Sequence, residues 1–342
     1  MNSIRVIVAV AMVMIVAGCA GGANIRPDWV NGSDPHYPPD RYLIGRGQAD
    51  NENDAANRAR AELAKVFEVQ IDEQSQDVLT YRGGSAGGEA GGTTTAQVTR
   101  SITTKTAQII NGIQVPEVWR DPETHTFYAL AVLPRMQASN SLRQEIDDLD
   151  TATERYIRQA RQSDDLLIRI AAADRALDAQ IKRSAYQKSL KVVDTSGVGE
   201  APRWNVAALR VGLDKLLHDM RIGAQAGSDP LGGLREDLAG GLSAAGFLVD
   251  TGKSPAYVLK ASVDLTDPEL LQGWYWMRGT LAVALKDPAT GQVRGTHQWD
   301  IKVSAQQPAV VRQRARTQVR DILQHNLRQV LIGFAAGRAA SS

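Results

Sequence analysis

Hydrophobic and polar positions repeat along this chain with two periods, and the change of period marks its segments. In the last third the period is two. Tyr257, Leu259, Ala261, Val263 and Leu265 alternate with Lys260, Ser262 and Asp264. Leu281, Val283 and Leu285 alternate with Thr280, Ala282 and Lys286, and His297, Trp299, Ile301 and Val303 with Thr296, Gln298, Asp300 and Lys302. One apolar and one polar face predicts three strands of an antiparallel sheet, with a turn over residues 287–292. Over residues 308–334 the period lengthens. Val311, Ala315, Val319, Ile322, Leu323, Leu327, Val330, Leu331 and Phe334 recur at three and four, which predicts a helix. Arg312, Arg316, Arg320 and Arg328 lie mostly off that stripe. Asp229-Pro230 reads as an N-cap and first helical residue, Leu231, Leu234, Leu238 and Leu242 as the apolar face, and Gly246 as the stop.

The middle of the chain reads as helix. Leu142, Ile146, Leu149, Thr153, Tyr156 and Ala160 form a narrow stripe. Ser163-Asp164-Asp165 can cap a second helix carrying Leu166, Leu167, Ile170, Ala171, Leu177 and Ile181 to about Val193. Residues 195–203 are a linker, and residues 205–219 a further amphipathic helix. Before this, residues 42–47 read as a strand closed by Gly45 and Gly47, which turn the chain tightly. Residues 50–54 cap a helix with Ala55, Ala56, Ala59, Leu63, Val66 and Phe67 on one face, ending near Ile71. Strands are expected over 78–81 and 98–110, around a glycine-rich loop at 82–95. A hairpin over 113–120 and 126–133 turns at Asp121-Pro122-Glu123-Thr124. Pro27-Asp28-Trp29 and Tyr37-Pro38-Pro39 should lie extended along the first sheet.

The first twenty residues follow neither period. Arg5 precedes a continuous apolar run over 6–16, too short for the roughly 20 apolar residues a bilayer span needs. It fits the hydrophobic region of an export signal. The run ends in Val16-Ala17-Gly18-Cys19, which resembles a bacterial lipobox, and Cys19 is the one cysteine of the chain. That resemblance implies cleavage before Cys19 and acylation of it. Several acyl chains, at ~0.8 kcal/mol per buried CH₂, would anchor the protein in a bilayer. Ala20, in place of Asp, implies sorting to the outer membrane, with the periplasmic face as the expected location.

The fold class expected is thus α+β: two small antiparallel-sheet-plus-helix domains joined by a helical segment, after a lipoprotein signal peptide. Its parts are a signal (1–18), an acylated tether (19–39), an α+β domain (40–135), a helical segment (137–220) and a second α+β domain (221–336).

Composition narrows the roles. The chain has 342 residues, with 39 Lys and Arg against 38 Asp and Glu. That balance gives no basic stripe for nucleic acid. A lone cysteine excludes a disulfide framework and a multi-cysteine zinc site. The five histidines, His36, His125, His218, His297 and His325, show no zinc-ligand spacing. His297 falls on an apolar strand face and reads as a core histidine, and His125 sits in a turn near Asp121 and Glu123. The glycine-rich loop lacks the Lys-Ser/Thr ending of a phosphate loop, and Gly45-x-Gly47 lacks the third glycine of a dinucleotide fingerprint. Asp147-Asp148 and Asp164-Asp165 fit helix surfaces or caps. No catalytic residues, metal or cofactor are therefore expected. Trp274-Tyr275-Trp276, between Gly273 and Gly279, places three large rings in succession. Such rings are common at partner and lipid interfaces, and this triplet is the candidate contact.

Two resemblances follow from these residues. The Tyr-x-x-Gly-x-Gly strand from Tyr42, the Ala-rich helix after it, and the run from Val115 through Trp119, Asp121, Pro122 and Tyr128 to Leu133 together resemble the Lpp-twenty lipoprotein family, over residues 27–135. Relatives of that family include outer-membrane proteins at the base of bacterial flagella. The last third is similar in element order to the small α/β domain at the N-terminus of TolB. Neither resemblance brings catalytic residues. Together they imply a non-catalytic structural or assembly factor of an envelope machine for flagellar, export or cell-wall work. The expected partners are the bilayer and an envelope protein or a second copy. The alternative is a periplasm-facing module that carries a small apolar or glycan ligand.

Overall fold

The structure is a computed structural model and describes residues 26–32, 34–81, 100, 102, 112–252 and 255–335. Helices and two sheets make it an α+β protein. The first sheet contains β1 (Tyr42–Ala49), β2 (Gln114–Arg120) and β3 (Phe127–Pro134), antiparallel in the order β1-β3-β2. The central strand β3 is apolar without alternation because both its faces are covered. Ala129, Ala131 and Leu133 pack in one buried cluster with Ala55, Ala59, Leu63 and Phe67 of α1 (Glu52–Tyr81). Leu130 and Val132 pack on the other side against Trp29 and Val30.

Several expectations change here. Pro27-Asp28-Trp29 is not extended: Asp28–Val30 forms a short 3-10 turn. It brings the Trp29 ring onto the sheet, where Arg46 donates hydrogen bonds to the carbonyls of Trp29 and Gly32. Gly45 and Gly47 do not turn the chain; both lie inside β1. A Cβ on Gly47 would stand 2.2 Å from the Ala55 carbonyl oxygen, and one on Gly45 would stand 2.4 Å from that of Ala59. The glycines therefore let α1 lie against the strand backbone. Residues 78–81 are helical, not a strand, because α1 continues to Tyr81. The polar run Asp72-Glu73-Gln74-Ser75-Gln76-Asp77 contains no Gly or Pro to stop a helix, and the β-branched residues after it are a weak counter-preference. Arg100 and Ile102 are helical as well, against the strand expected over 98–110. The rest of that segment and the glycine-rich loop lie outside the described residues.

The helical middle is more than a connector. α2 (Arg135–Gln162) and α3 (Leu166–Val193) fold back on each other through a three-residue turn. Asp165 caps α3 as expected, accepting from the Leu167 and Ile168 amides. α4 (Val206–Asp219) follows, capped by Asn205. Leu142, Ile170, Leu190 and Leu217 of these helices share one buried cluster with Phe67 and Ala129 before them and with Leu259 and Leu323 after them. The apolar core thus runs unbroken from the first sheet to the second.

The second sheet holds β4 (Arg221–Ala226), β5 (Leu248–Val249), β6 (Tyr257–Leu265), β7 (Glu269–Leu271), β8 (Trp274–Lys286) and β9 (Val293–Ala305). The three alternating strands are β6, β8 and β9, antiparallel in that order. The sheet as a whole is mixed rather than antiparallel, since β4 runs parallel to both β5 and β6. β4 is built on Gly223, Ala224 and Ala226 and β5 has two residues, so neither carries an alternation that a sequence could display. Helices α5 (Leu234–Ala244) and α6 (Pro308–Ala335) cover one face of the sheet. α5 starts at Leu234, later than the Asp229-Pro230 signal, because Gly232 and Gly233 hold positive φ and keep the chain in a turn. Asp229 still caps the helix by accepting from the Leu234 amide at 2.9 Å. Gly246, at φ 92°, ends α5 as expected, and the Phe247 amide closes onto the Leu242 carbonyl.

Candidate functional site

Cys19 and the lipobox residues Val16, Ala17 and Gly18 lie outside the described residues. The aromatic triplet lies inside them, on a hairpin. β7 and β8 pair Glu269 with Trp276, Leu270 with Tyr275 and Leu271 with Trp274. The two-residue turn consists of Gln272 at φ 53° and Gly273 at φ 80°. Two successive positive φ values match the twist of the flanking strands, which is what a tight hairpin needs.

Strand alternation then divides the three rings. Tyr275 faces the helices and packs beside Met277, Ala305 and Val311. Trp274 and Trp276 share the open face with Leu271. The triplet is therefore part plug and part surface. Leu270 is 57% exposed, Leu271 41% and Trp274 42%, so the hairpin tip places three large apolar side chains in solvent. Trp276 is held from above: the Lys302 ammonium lies 5.6 Å and the Arg278 guanidinium 5.9 Å from its ring. An apolar tip followed by two cations is an arrangement suited to a partner surface or a bilayer interface.

A second feature was not read from the sequence. Between β9 and α6 runs an open groove of about 760 Å³. Trp299, Val310 and Ile322 give it an apolar floor, and Arg314, Gln318, Asp321 and His325 a polar wall. The Gln318 Oε1 atom is buried without a hydrogen-bond partner. The sequence did carry a signal. Val310, Arg314, Thr317, Asp321 and His325 recur at three and four on the flank of the helix beside its core stripe.

The histidines take structural places. His297 stands edge-on to Trp299, with ring centroids 4.5 Å apart, and burial pushes its pKa below 6.5. His36 pairs with Asp34 at 2.8 Å. His218 and His325 each donate from Nδ1 to the carbonyl four residues earlier. His125 takes φ 59° in the hairpin turn, where Asp121 accepts from the Glu123 and Thr124 amides. The Glu123 amide first of all holds the Asp121 carboxyl below the usual carboxylate range. Among the described residues no three His, Cys, Asp or Glu side chains are grouped to hold a metal ion. No described helix is long and apolar enough to cross a membrane.

Of the carboxylate pairs, Asp147 and Asp148 are exposed on α2. Asp165 does more than cap. It pairs with Arg294 of β9 and accepts from the Tyr257 hydroxyl, tying the second sheet to the start of α3. Burial and then the Asp165 charge hold the Tyr257 hydroxyl above its usual range. All of these are linking contacts rather than a convergent set aimed into a cleft.

Comparison with known proteins agrees with this picture at the N-terminal end. Eleven chains of solved structure match. A secreted protein from Helicobacter pylori is 11% identical, covers 85% of this chain and 98% of its own, and has a TM-score of 0.42. A minor lipoprotein from Acinetobacter baumannii is 16% identical over 36% of this chain and 96% of its own, with a TM-score of 0.26. The PelC dodecamer from Paraburkholderia phytofirmans is 14% identical over 36% of this chain and 89% of its own, with a TM-score of 0.24. No curated protein matches the chain. Residues 27–134, which contain the 3-10 turn, the first sheet and α1, match the model of the LPP20 lipoprotein family, the family that the Tyr-x-x-Gly-x-Gly strand and the hairpin resemble.

Proposed function

We propose that this chain is an outer-membrane lipoprotein, acylated at Cys19 and facing the periplasm, that acts without catalysis as a structural or assembly factor of an envelope machine. The observation that carries this reading is the hairpin tip. Leu270, Leu271 and Trp274 are exposed together on a tight turn, ahead of Arg278 and Lys302. Such a tip costs apolar hydration unless something covers it, and a tethered protein has a partner or a bilayer at hand. The lipobox and the family match of residues 27–134 support the address. The test is the mass of the native lipidated protein, gently extracted in detergent, by light scattering after size exclusion. A discrete assembly, of copies or with a co-purifying protein, is the expected result. A lone monomer at all concentrations would overturn it.

The groove between β9 and α6 favours a second reading, a module that carries a small ligand. Its volume of about 760 Å³ is within the range of ligand clefts, and it combines the Trp299 ring with amide and charged groups. Mass spectrometry of the extracted protein under native conditions separates the two readings: a carrier is a monomer with a bound small molecule.

A further inference from the structure

We propose that two copies of this chain join through the free edge of β9, in an antiparallel register centred on Ile301. The inference rests on the assembly reading above and makes the partner a second copy. β9 is 13 residues long and pairs with β8 on one side; among the described residues no strand pairs with its other edge. A strand edge of this kind presents unpaired amides and carbonyls, and residues 295–305 contain neither a bulge nor a proline to blunt it.

The hydrogen bonds show which residues face outward. The Thr266 amide donates to the Arg278 carbonyl at 2.8 Å, so Arg278 turns its backbone toward the β6 side and away from β9. Lys302 stands opposite Arg278, so its own N–H and C=O turn away from β8. By alternation Thr296, Gln298, Asp300, Lys302 and Ser304 all present backbone groups at the free edge. Arg314 of α6 agrees, donating to the Ser304 carbonyl at 2.6 Å, so that carbonyl already has a donor and the open groups of the edge are those of Thr296, Gln298, Asp300 and Lys302.

Charge then selects the register. Centred on Ile301, the antiparallel pairing sets Asp300 of each copy against Lys302 of the other, twice over. The neighbouring registers, centred on Asp300 or on Lys302, place like charges opposite each other, which is unfavourable. The chosen register also sets Gln298 against Ser304 on the open face and Trp299 against Val303 on the helix face. Trp299, half-buried in the groove, thereby gains an apolar neighbour. The same two-fold axis runs α6 antiparallel to its copy. A strand that pairs with itself gives an isologous interface, which closes at two copies.

The test is charge reversal in the full lipidated chain, followed by sedimentation over a concentration series. Asp300→Lys and Lys302→Asp, each alone, put like charges opposite and should raise the dimer dissociation constant about tenfold or more. The double variant Asp300→Lys with Lys302→Asp restores opposite signs and should restore association. Circular dichroism checks that each variant is folded. If the wild type associates but neither single variant weakens it, or the folded double variant fails to recover, β9 is not the interface, while the assembly reading stands. If the wild type is a monomer with a distinct protein bound, self-pairing falls and the assembly reading survives. A bare monomer overturns both.

Discussion

Arg183 Nε lies 3.1 Å from Asp150 Oδ1, and both side chains are buried between α2 and α3. Further hydrogen bonds tie the pair in. Gln180 donates to Asp150 at 3.0 Å and to the Thr153 hydroxyl at 2.8 Å, while Arg183 Nη2 reaches the carbonyls of Glu200 and Ala201. It thereby fixes the register of the helical pair and pins the 195–203 linker against it. A network with every member bonded specifies one arrangement, and one with a member missing is costly. Asp150→Ala strands a buried guanidinium and should cost about 3–5 kcal/mol. Asp150→Leu with Arg183→Met replaces both charges and should recover much of that loss. Urea unfolding of the two variants measures the difference. Equal destabilisation would mean that the network, rather than the lost partner, is what the helices need.

This network marks the limit of what the sequence showed. The helical pair was legible from Leu142, Ile146, Leu167 and Ile170, because apolar residues at helical spacing report burial directly. Asp150, Gln180 and Arg183 carried no such sign, because a polar residue reports burial through its partner, and here the partner stands 30 or more residues away. The antiparallel strands, the α6 stripe and the Asp165 cap were legible for the same local reason. The strand at 78–81, the closed turn at Gly45 and Gly47, the extended Trp29 segment and the start of α5 were misread. Packing against α1 decided the glycine segment and packing on the first sheet the Trp29 segment, a glycine pair overrode the capping signal of α5, and the run before 78–81 had no residue to stop α1. Of the candidate site, the aromatic triplet was legible as a run of rings. Its division into a partly buried Tyr275 facing the helices and an exposed Trp274 needed the hairpin register. The groove was hidden because its walls come from two elements.

The exposed tip predicts a functional change without a stability change. Trp274→Ala with Trp276→Ala should weaken binding of the protein to its partner or to vesicles of outer-membrane lipid. The loss of Trp274 from a 42% exposed position should cost well under a fully buried ring, for which ~3–5 kcal/mol is typical. Co-sedimentation with vesicles and pull-down from detergent extract are the readouts, beside a thermal melt. A folded double variant that binds as the wild type does would remove the tip from the interface.

The proposed anchor makes a separate prediction. Cys19→Ser removes the thiol that acylation requires, so the variant should leave the outer-membrane fraction after a salt wash. Without the acyl chains, each buried CH₂ and its ~0.8 kcal/mol are lost. A variant that still floats with membranes would show that the body of the protein, with the tip first in line, binds lipid by itself.

Two glycines should respond in opposite directions to the same added methyl. Gly47→Ala drives a Cβ to within 2.2 Å of the Ala55 carbonyl oxygen and 2.3 Å of the Ala59 amide nitrogen. Both are helix backbone and cannot move without separating α1 from β1, so about 1–3 kcal/mol or more should be lost. Gly212 lies within α4 with nothing inside 4 Å of its Cβ position. Gly212→Ala should stabilise by about 0.5–1 kcal/mol, since alanine loses less backbone freedom in a helix. Denaturant midpoints of the two variants test the pair.

His297 gives the fold a dependence on pH. Burial against Trp299 and the helix face favours the neutral ring, so its pKa in the folded protein lies below 6.5. In the unfolded chain the ring takes its ordinary value near 6.5, and between the two values the unfolded state binds more protons. Stability therefore rises with pH across that window and falls as the solution is acidified from about pH 6.5 through the lowered pKa. His297→Gln removes the titrating group and should flatten this part of the curve. Urea midpoints at pH 7.5 and pH 5.5, compared between wild type and variant, test it. An equal acid-side loss in both proteins would show that His297 is not the group responsible.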